Sequence, residues 1–327
     1  VYSYDKLLLF MNPKGNIGIG LDISGNLVSV LHLEKHGKEV RVVTARSIFI
    51  PPDISSKEER DAALRESVSR ILEGIELRKA VLSAGLGGQV AFVRKMKLPP
   101  VPKGKVRQIV SYEVQQQIPF PLKEVVWDYH LSGSIKKKKA TSVEVTMAAV
   151  KEEMVENMVE QVRQGVGKEP DVVDISVISL HNALVYNEIL SSENTQIVVS
   201  VGWNFTDILI EEGNTLAFTR SIPIGERNML REIMKERGEG YNEAMEVLFS
   251  GESKVVETVW QDLFTEIKRT MNYYLSQVEK VSSFDEIMVH GRISYCSQFL
   301  QFLSSYFSGN IRRVDPWVKI AKPEGVD

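Results

Sequence analysis

The chain has 327 residues, of which 43% are hydrophobic and 25% are charged, a composition typical of a globular protein large enough for two lobes. Its formal net charge is -3, so no overall basic character indicates a nucleic-acid partner. The single cysteine, Cys296, excludes a disulfide framework and favours a reducing compartment.

The N-terminal segment contains one short apolar run, residues 7–10. This run is far shorter than the roughly 20 apolar residues of a membrane-spanning helix, and it lacks the flanks of a signal peptide. We therefore predict a tail that does not insert into a bilayer. If the protein works at a membrane, we expect a partner to hold it there.

An internal repeat is the strongest organisational signal. Residues 19–37 and residues 197–213 both read as a strand, a small polar turn and a second strand that ends in a charged hairpin. The aligned pairs are Asp22 with Ser200, Ile23 with Val201, and Asn26 with Asn204. One hairpin resembles another easily, so this similarity alone does not establish a duplication.

The repeat continues beyond the hairpins. Residues 44–50 and 218–224 read as matching third strands. A helical pattern follows each of them, over residues 57–76 in the first half and 227–237 in the second. Two hairpins with matching third strands and helices indicate a duplicated strand–hairpin–strand–helix unit.

A distinct block separates the two halves of the first lobe. Its predicted elements are a strand at 89–97, a helix at 103–117, strands at 124–133 and 140–150, and a helix at 152–164. The turn between the last two strands carries four consecutive lysines, residues 136–139. This β-α-β-β-α block is predicted to be an inserted subdomain.

The remaining elements complete the two lobes. They are predicted as a strand at 172–177, helices at 179–188, 242–249 and 254–280, a strand at 286–289 and a helix at 296–307. The predicted domains are 1–88 for the first part of the first lobe, 89–165 for the inserted subdomain, 166–194 for the return of the first lobe, and 195–327 for the second lobe.

Several short motifs resemble one known family. They are Glu113 with Ile118-Pro119-Phe120-Pro121, Asp128-Tyr129, Asn182-Ala183-Leu184, Phe218-Thr219-Arg220, Ile222-Pro223-Ile224-Gly225 and Asp315-Pro316-Trp317. Together they make residues 16–317 similar to PilM, the family of type IV pilus assembly proteins. The Ile-Pro-Phe-Pro element is the most specific of them.

The resemblance implies an α/β fold of the duplicated actin/Hsp70, or ribonuclease H-like, class, with the inserted subdomain placed as in FtsA. It implies work at the inner-membrane platform of a pilus. The implied partner is the short cytoplasmic N-terminal peptide of PilN, held in a groove between the first lobe and the inserted subdomain. A pilus motor ATPase is a further implied partner, nucleic acid is not, and the membrane is reached only through the partner.

The first turn of the repeat is the candidate phosphate loop. Its family pattern is Asp-Ile-Gly-Ser-Ser-Ser-Val-Lys, and here Asp22 remains, in a position to hold magnesium through water. The lysine that would contact phosphate is Ser29. The candidate nucleotide-binding residues of this turn are Asp22, Ser24, Gly25 and Asn26. The alternative is an ordinary β-turn, for which Gly-Asn is suitable chemistry.

The second and third turns depart further from the family. The candidate residues there are Gly202, Asn204, Thr206 and Gly291. Ser200 replaces an acidic residue, and Trp203 and Phe205 are bulky where phosphate would approach the backbone. Arg292 replaces a glycine at the third turn, beside His290, so it either reaches a phosphate or simply fills the space.

These features predict an interaction protein rather than an enzyme. We expect no catalytic residues, no metal site and no required cofactor, with ATP and magnesium binding weakly if at all. The alternatives are an ATP-binding conformational switch of the same platform, or the cytoplasmic domain of a type II secretion protein that resembles PilM and GspL. The lysine turn either faces an anionic membrane or is a solvated hairpin tip.

Overall fold

The computed structural model describes residues 16–51, 56–99, 103–131, 143–251, 253–278, 281 and 283–322. The chain divides into two compact units, residues 1–183 with 317–327, and residues 184–316. The predictions for the apolar run at 7–10 and the lysine turn at 136–139 lie outside the described residues. Within those ranges, no helix has the length and apolar character needed to cross a bilayer.

The described chain contains both strands and helices, and the main sheet of each unit begins with three consecutive strands. The strands are β1 (Ile17–Ser24), β2 (Leu27–His36), β3 (Glu39–Phe49), β4 (Val81–Leu86), β5 (Ala91–Leu98), β6 (Val125–Leu131), β7 (Val143–Lys151), β8 (Val172–Ile175), β9 (Thr195–Val201), β10 (Thr206–Glu212), β11 (Thr215–Ile222), β12 (Glu286–His290), β13 (Asn310–Arg313) and β14 (Ile320–Ala321). The helices are α1 (Lys57–Ile71), α2 (Lys103–Gln117), α3 (Glu152–Val166), α4 (Ser176–Tyr186), α5 (Glu226–Arg237), α6 (Tyr241–Ser250), α7 (Val256–Gln277) and α8 (Ser297–Tyr306).

The main sheet of the first unit has the order β14-β3-β2-β1-β4-β8. β1, β2 and β3 are antiparallel, whereas β4 and β8 continue the sheet in parallel. Alternate side chains of β1, such as Ile19 and Leu21, are buried. Helix α1 begins at the N-cap Ser56, whose side chain accepts from the N–H of Glu59, and it buries Val68 completely.

The inserted block forms a second, three-stranded antiparallel sheet with the order β5-β7-β6. Helix α2 packs on one face of this sheet and buries Val106, Val110 and Val114 almost completely. The predicted element order is confirmed, but the last helix, α3, packs mainly on α1 of the main sheet. A Cβ added at Gly165 would lie 2.8 Å from Val68 Cγ1, so the glycine permits this close helix contact.

The second unit repeats the arrangement of the first. Its sheet has the order β11-β10-β9-β12-β13, in which three antiparallel strands are followed by two parallel ones. This is the same order as β3-β2-β1-β4-β8 in the first unit. Asp22 of β1 and Ser200 of β9 occupy matching positions, because each is the last residue of its central strand that pairs with the neighbouring parallel strand, with Gly85 of β4 and His290 of β12 respectively. The predicted duplication is confirmed.

The division into units differs from the predicted domain limits at two places. Residues 184–194 lie with the second unit and not with the first. Residues 317–322 lie with the first unit, because Ile320 of β14 pairs with Val40 of β3. A two-residue strand has too few residues to show a sequence pattern, so this return of the chain was not visible in the sequence.

Candidate functional site

The first turn joins β1 to β2 through Gly25 and Asn26. Gly25 adopts a φ of 65°, a left-handed conformation that favours glycine. Just before the turn, Ser24 Oγ donates to Asp22 Oδ2 at 2.7 Å. Burial away from water raises the pKa of Asp22, and the hydrogen bond from Ser24 lowers it in part. Asp22 and Ser24 therefore form a local pair at the end of β1.

Asn26 is buried, and both its side chain and its backbone form hydrogen bonds within the protein. Its Nδ2 donates to Ile50 O at 2.7 Å, and the N–H of Ile50 donates back to Asn26 O at 2.7 Å. Arg60 Nη2 donates to Gly25 O at 3.1 Å and to Asn26 Oδ1 at 3.2 Å. These hydrogen bonds hold the turn in place. The sequence analysis did not identify Arg60 as a residue that contacts the turn.

Ser29, which replaces the family's lysine, lies on β2 directly opposite Asp22. Its hydroxyl is 2.9 Å from the hydroxyl of Ser47 on β3. The side chain at this position is therefore short, uncharged and engaged with a neighbouring strand.

The second turn folds back onto the protein. Gly202 N–H donates to Phe205 O at 2.9 Å, and the buried Trp203 ring packs edge-on against Tyr241 at 5.6 Å between centroids. Thr206 Oγ1 donates to Ile224 O at 2.7 Å. Phe205 and Asn204, in the same turn, are half-buried. Of the two bulky aromatic residues of this turn, only Trp203 is buried.

This turn also accepts hydrogen bonds from the start of α5. The N–H of Glu226 donates to Gly202 O at 3.0 Å, and the N–H of Arg227 donates to Trp203 O at 3.0 Å. A Cβ added at Gly225 would lie 2.5 Å from Trp203 O, so the close approach requires glycine. The first N–H groups of a helix commonly bind phosphate, but here the turn carbonyls already accept from them.

The third turn places an arginine beside a buried glutamate. Arg292 Nε donates to Glu226 Oε2 at 3.1 Å, and its Nη2 also contacts that oxygen. Burial raises the pKa of Glu226, and Arg292 lowers it in part. Gly291 has a φ of 97°, and a Cβ there would lie 2.2 Å from Val201 O. Glu226, the first residue of α5, was missed by sequence reasoning, although an acidic residue at a helix start was a signal for it.

A serine and a histidine meet at the ends of two central strands of the second unit. Ser200 Oγ lies 2.9 Å from His290 Nδ1, and burial lowers the pKa of His290 to about 4. The imidazole is therefore neutral at physiological pH. Across the ranges that the structure describes, no group of three or more His, Cys, Asp or Glu side chains is arranged to hold a metal ion.

A small cavity of about 60 Å³ lies within the first unit, between the main sheet and the inserted sheet. Its lining residues are Leu86, Val126, Trp127, Asp128, Ala148, Val150, Val155, Val173, Asp174, Ile175 and Ile178. The inserted sheet supplies β6 and β7, and the main sheet supplies the end of β4 together with β8. The resulting groove is apolar apart from its two aspartates.

The two strands that border this groove, β6 and β8, are each the last strand of their sheet. On β6, Asp128 Oδ1 accepts from the N–H of Tyr129 at 3.0 Å. On β8, Asp174 Oδ1 accepts from the N–H of Ile175 at 2.7 Å. Each edge thus carries an aspartate that occupies a backbone donor of its own strand.

The two aspartates differ in their surroundings. Arg107 of α2 lies with Nη1 3.7 Å from Asp128 Oδ1, and its guanidinium covers the Trp127 ring at 4.8 Å. Asp174 is only 4% exposed and accepts from Ser179 Oγ at 2.6 Å. Burial raises the pKa of Asp174 to about 6. Asp174 carried no sequence signal, since it lies inside an apolar strand.

The fold defines a class. Two matching sheets, with an inserted subdomain in the first unit, are the duplicated architecture of the actin-like ATPase fold. The family model described as "Type IV pilus assembly protein PilM" matches residues 20–327. The chain therefore belongs to the PilM family of type IV pilus assembly proteins.

Solved structures show the same fold. The structure described as a PilM-PilN type IV pilus biogenesis complex is similar, with a TM-score of 0.79 at 20% identity over 95% of this chain and 91% of that chain. The ethanolamine utilization protein EutJ from Carboxydothermus hydrogenoformans aligns with a TM-score of 0.53 at 12% identity, over 93% of this chain and 87% of that one.

Proposed function

We propose that this protein is a scaffold of a type IV pilus inner-membrane platform, and that it binds the cytoplasmic N-terminal peptide of a PilN-like membrane protein. The observation that carries the proposal is the groove between β6 and β8. Membership of the PilM family supports the pilus role. The similar structure that contains PilM with PilN supports the kind of partner.

The chemistry of the groove suits an extended peptide. Its two bordering strands are sheet edges, and edges accept added strands through backbone hydrogen bonds. Its cavity is lined mostly by aliphatic side chains and Trp127, which favours an apolar side chain of the partner. Because its volume is only about 60 Å³, it accepts a side chain and not a folded domain.

We further propose that the nucleotide site is degenerate. At the first turn, Asn26 is held by Ile50 and Arg60. At the second, the turn carbonyls accept from the N-terminus of α5, and Arg292 is paired with Glu226. The residues present therefore do not fit nucleotide phosphates.

The expected loss of affinity follows from the missing charges. In this chain, Ser29 replaces the lysine of the family pattern and Ser200 replaces its acidic residue. Lost charged contacts cost about 1.5–3 kcal/mol each, so two such losses weaken binding by roughly a hundredfold or more. Calorimetry with ATP and magnesium measures this. Micromolar affinity would instead favour the second candidate, an ATP-dependent switch, which the retained Asp22 supports.

Peptide binding tests the scaffold proposal. A fluorescent peptide of the PilN-like N-terminus from the same organism should bind the purified protein, as measured by anisotropy. Ala148→Leu places a larger side chain in the cavity and should weaken binding at least tenfold. Tyr112→Ala, which changes an exposed ring on α2, should bind as the wild type does. Equal binding by both variants would exclude this groove.

We also propose that the membrane is reached through this partner. Flotation with anionic liposomes tests the point: the protein should float only when the PilN-like protein is present in the vesicles. Flotation of the protein alone would contradict it. A pilus motor ATPase is an expected additional partner, and co-purification with and without the PilN-like protein tests that expectation.

A further inference from the structure

The groove between β6 and β8 contains a buried carboxylate that the scaffold role does not by itself explain. Asp174 is 4% exposed and lines the cavity beside Ile175 and Ile178. An apolar groove that bound only apolar side chains would bind them better without a carboxylate. Burying a carboxylate away from water is costly unless an opposite charge compensates it.

The groups that contact Asp174 do not supply that charge. Its two oxygens accept from the N–H of Ile175 at 2.7 Å and from Ser179 Oγ at 2.6 Å. Both donors are neutral. Among the described residues, no basic side chain forms an ion pair with Asp174 or shifts its pKa. Arg107, which lies at the other edge of the groove, instead contacts the Asp128 carboxylate and the Trp127 ring.

The carboxylate also keeps acceptor capacity. An ionised carboxylate offers about four lone-pair positions, and the contacts with Ile175 and Ser179 use two of them. Meanwhile the N–H groups of Tyr129 and Ile175 at the two strand edges are already bound to aspartate oxygens. At these positions an incoming segment meets acceptors and not donors.

We propose that the segment bound in this groove carries a lysine or arginine side chain that pairs with Asp174, next to an apolar residue that fills the cavity. This inference rests on the proposed function and specifies the partner that the groove selects. The cation provides the compensation that Asp174 lacks in the free protein, so part of the binding free energy comes from removing an unpaired buried charge.

A double-mutant cycle tests the proposal. The probe is the synthetic N-terminal peptide of the PilN-like protein, together with the same peptide in which each basic residue in turn is replaced by glutamine. The protein is the full chain, as wild type and as Asp174→Asn. Asp262→Asn, an aspartate on the exposed face of α7, is the control for the change in net charge.

The expected results are specific. Asp174→Asn and one peptide substitution should each weaken binding by about tenfold to a hundredfold, the range of a charge-assisted contact. The two changes together should cost little more than either alone, and Asp262→Asn should have no effect. The peptide series is measured against the wild type, so it decides the matter even if Asp174→Asn folds poorly.

Failures of the two proposals are distinguishable. If the wild type binds the peptide and no basic residue of the peptide matters, the cation is excluded while the scaffold role stands. If Asp174→Asn binds as tightly as the wild type, the conclusion is the same. If the wild-type protein does not bind the peptide, the proposed partner is wrong, and the inference about its basic residue fails with it.

Discussion

Replacing Asp174 with asparagine should stabilise the folded protein at neutral pH. The side chain is 4% exposed, and burial raises its pKa from 3.8 to about 6. At 1.36 kcal/mol per pKa unit, that difference corresponds to about 3 kcal/mol. Asparagine keeps the shape and an oxygen acceptor for the N–H of Ile175, and the Ser179 hydroxyl can rotate to accept from the new amide.

The sign of the pH dependence follows from the two pKa values. Between about pH 4 and pH 6 the folded protein holds the Asp174 proton, while the unfolded chain has lost it. Stability therefore falls as pH rises through this window and then levels off above pH 6. Asp174→Asn should remove this part of the pH dependence. It should gain up to about 3 kcal/mol at pH 8 and almost nothing at pH 4.

Urea unfolding of the full chain at several pH values measures the effect, followed by hydrogen exchange of the first unit in case the two units unfold separately. Carbon NMR of the Asp174 carboxyl gives its pKa directly. Ser179→Ala is the matched control: it removes a hydrogen bond that lowers this pKa, so it should raise the pKa further and destabilise the protein at pH 8. A measured pKa near 3.8, or a variant with unchanged stability at pH 8, would refute the reasoning.

Two further predictions concern the second unit. Arg292→Met leaves the carboxylate of Glu226, which is 3% exposed, without its partner. It should lower the free energy of unfolding in urea by about 3 kcal/mol. The double variant with Glu226→Gln should recover most of that loss, and an equal loss in both variants would contradict the ion-pair explanation. Gly291→Ala should cost at least about 2 kcal/mol, because its φ of 97° is strained for alanine and its Cβ would lie 2.2 Å from Val201 O. Gly37 is the control, because its φ of 64° is also left-handed but open space surrounds it. Gly37→Ala should therefore cost only about 1 kcal/mol. Similar melting temperatures for the two variants would argue against the clash at Gly291.

The sequence determined the elements and the duplication. Strands and helices follow from local periodicity, and helix α2 has the predicted limits, Lys103–Gln117, because a proline-rich segment precedes it and Pro119 follows it. The aligned pairs Asp22 with Ser200 and Asn26 with Asn204 were readable because a duplicated fold leaves the same residue spacing in each half. The family resemblance arose from the same short motifs, and it is confirmed.

Only the tertiary structure decided what surrounds each candidate residue. In the sequence, Arg292 and Glu226, the first residue of α5, are 66 residues apart, and nothing links them. Their pairing depends on how β12 and α5 meet in space. Likewise, Arg60 was an ordinary residue of an amphipathic helix until the fold placed it behind the turn at Asn26.

The groove has the same origin. Asp174 lies in a short apolar strand, and neither its neighbours in sequence nor its spacing distinguishes it. It becomes unusual only because β8 is the last strand of one sheet, lines a cavity together with the last strand of another, and buries this side chain there. Local sequence thus specified which residues form strands, turns and helices. The chemical state of a side chain depends on charges and solvent brought to it by distant parts of the chain, and only the folded structure contains that information.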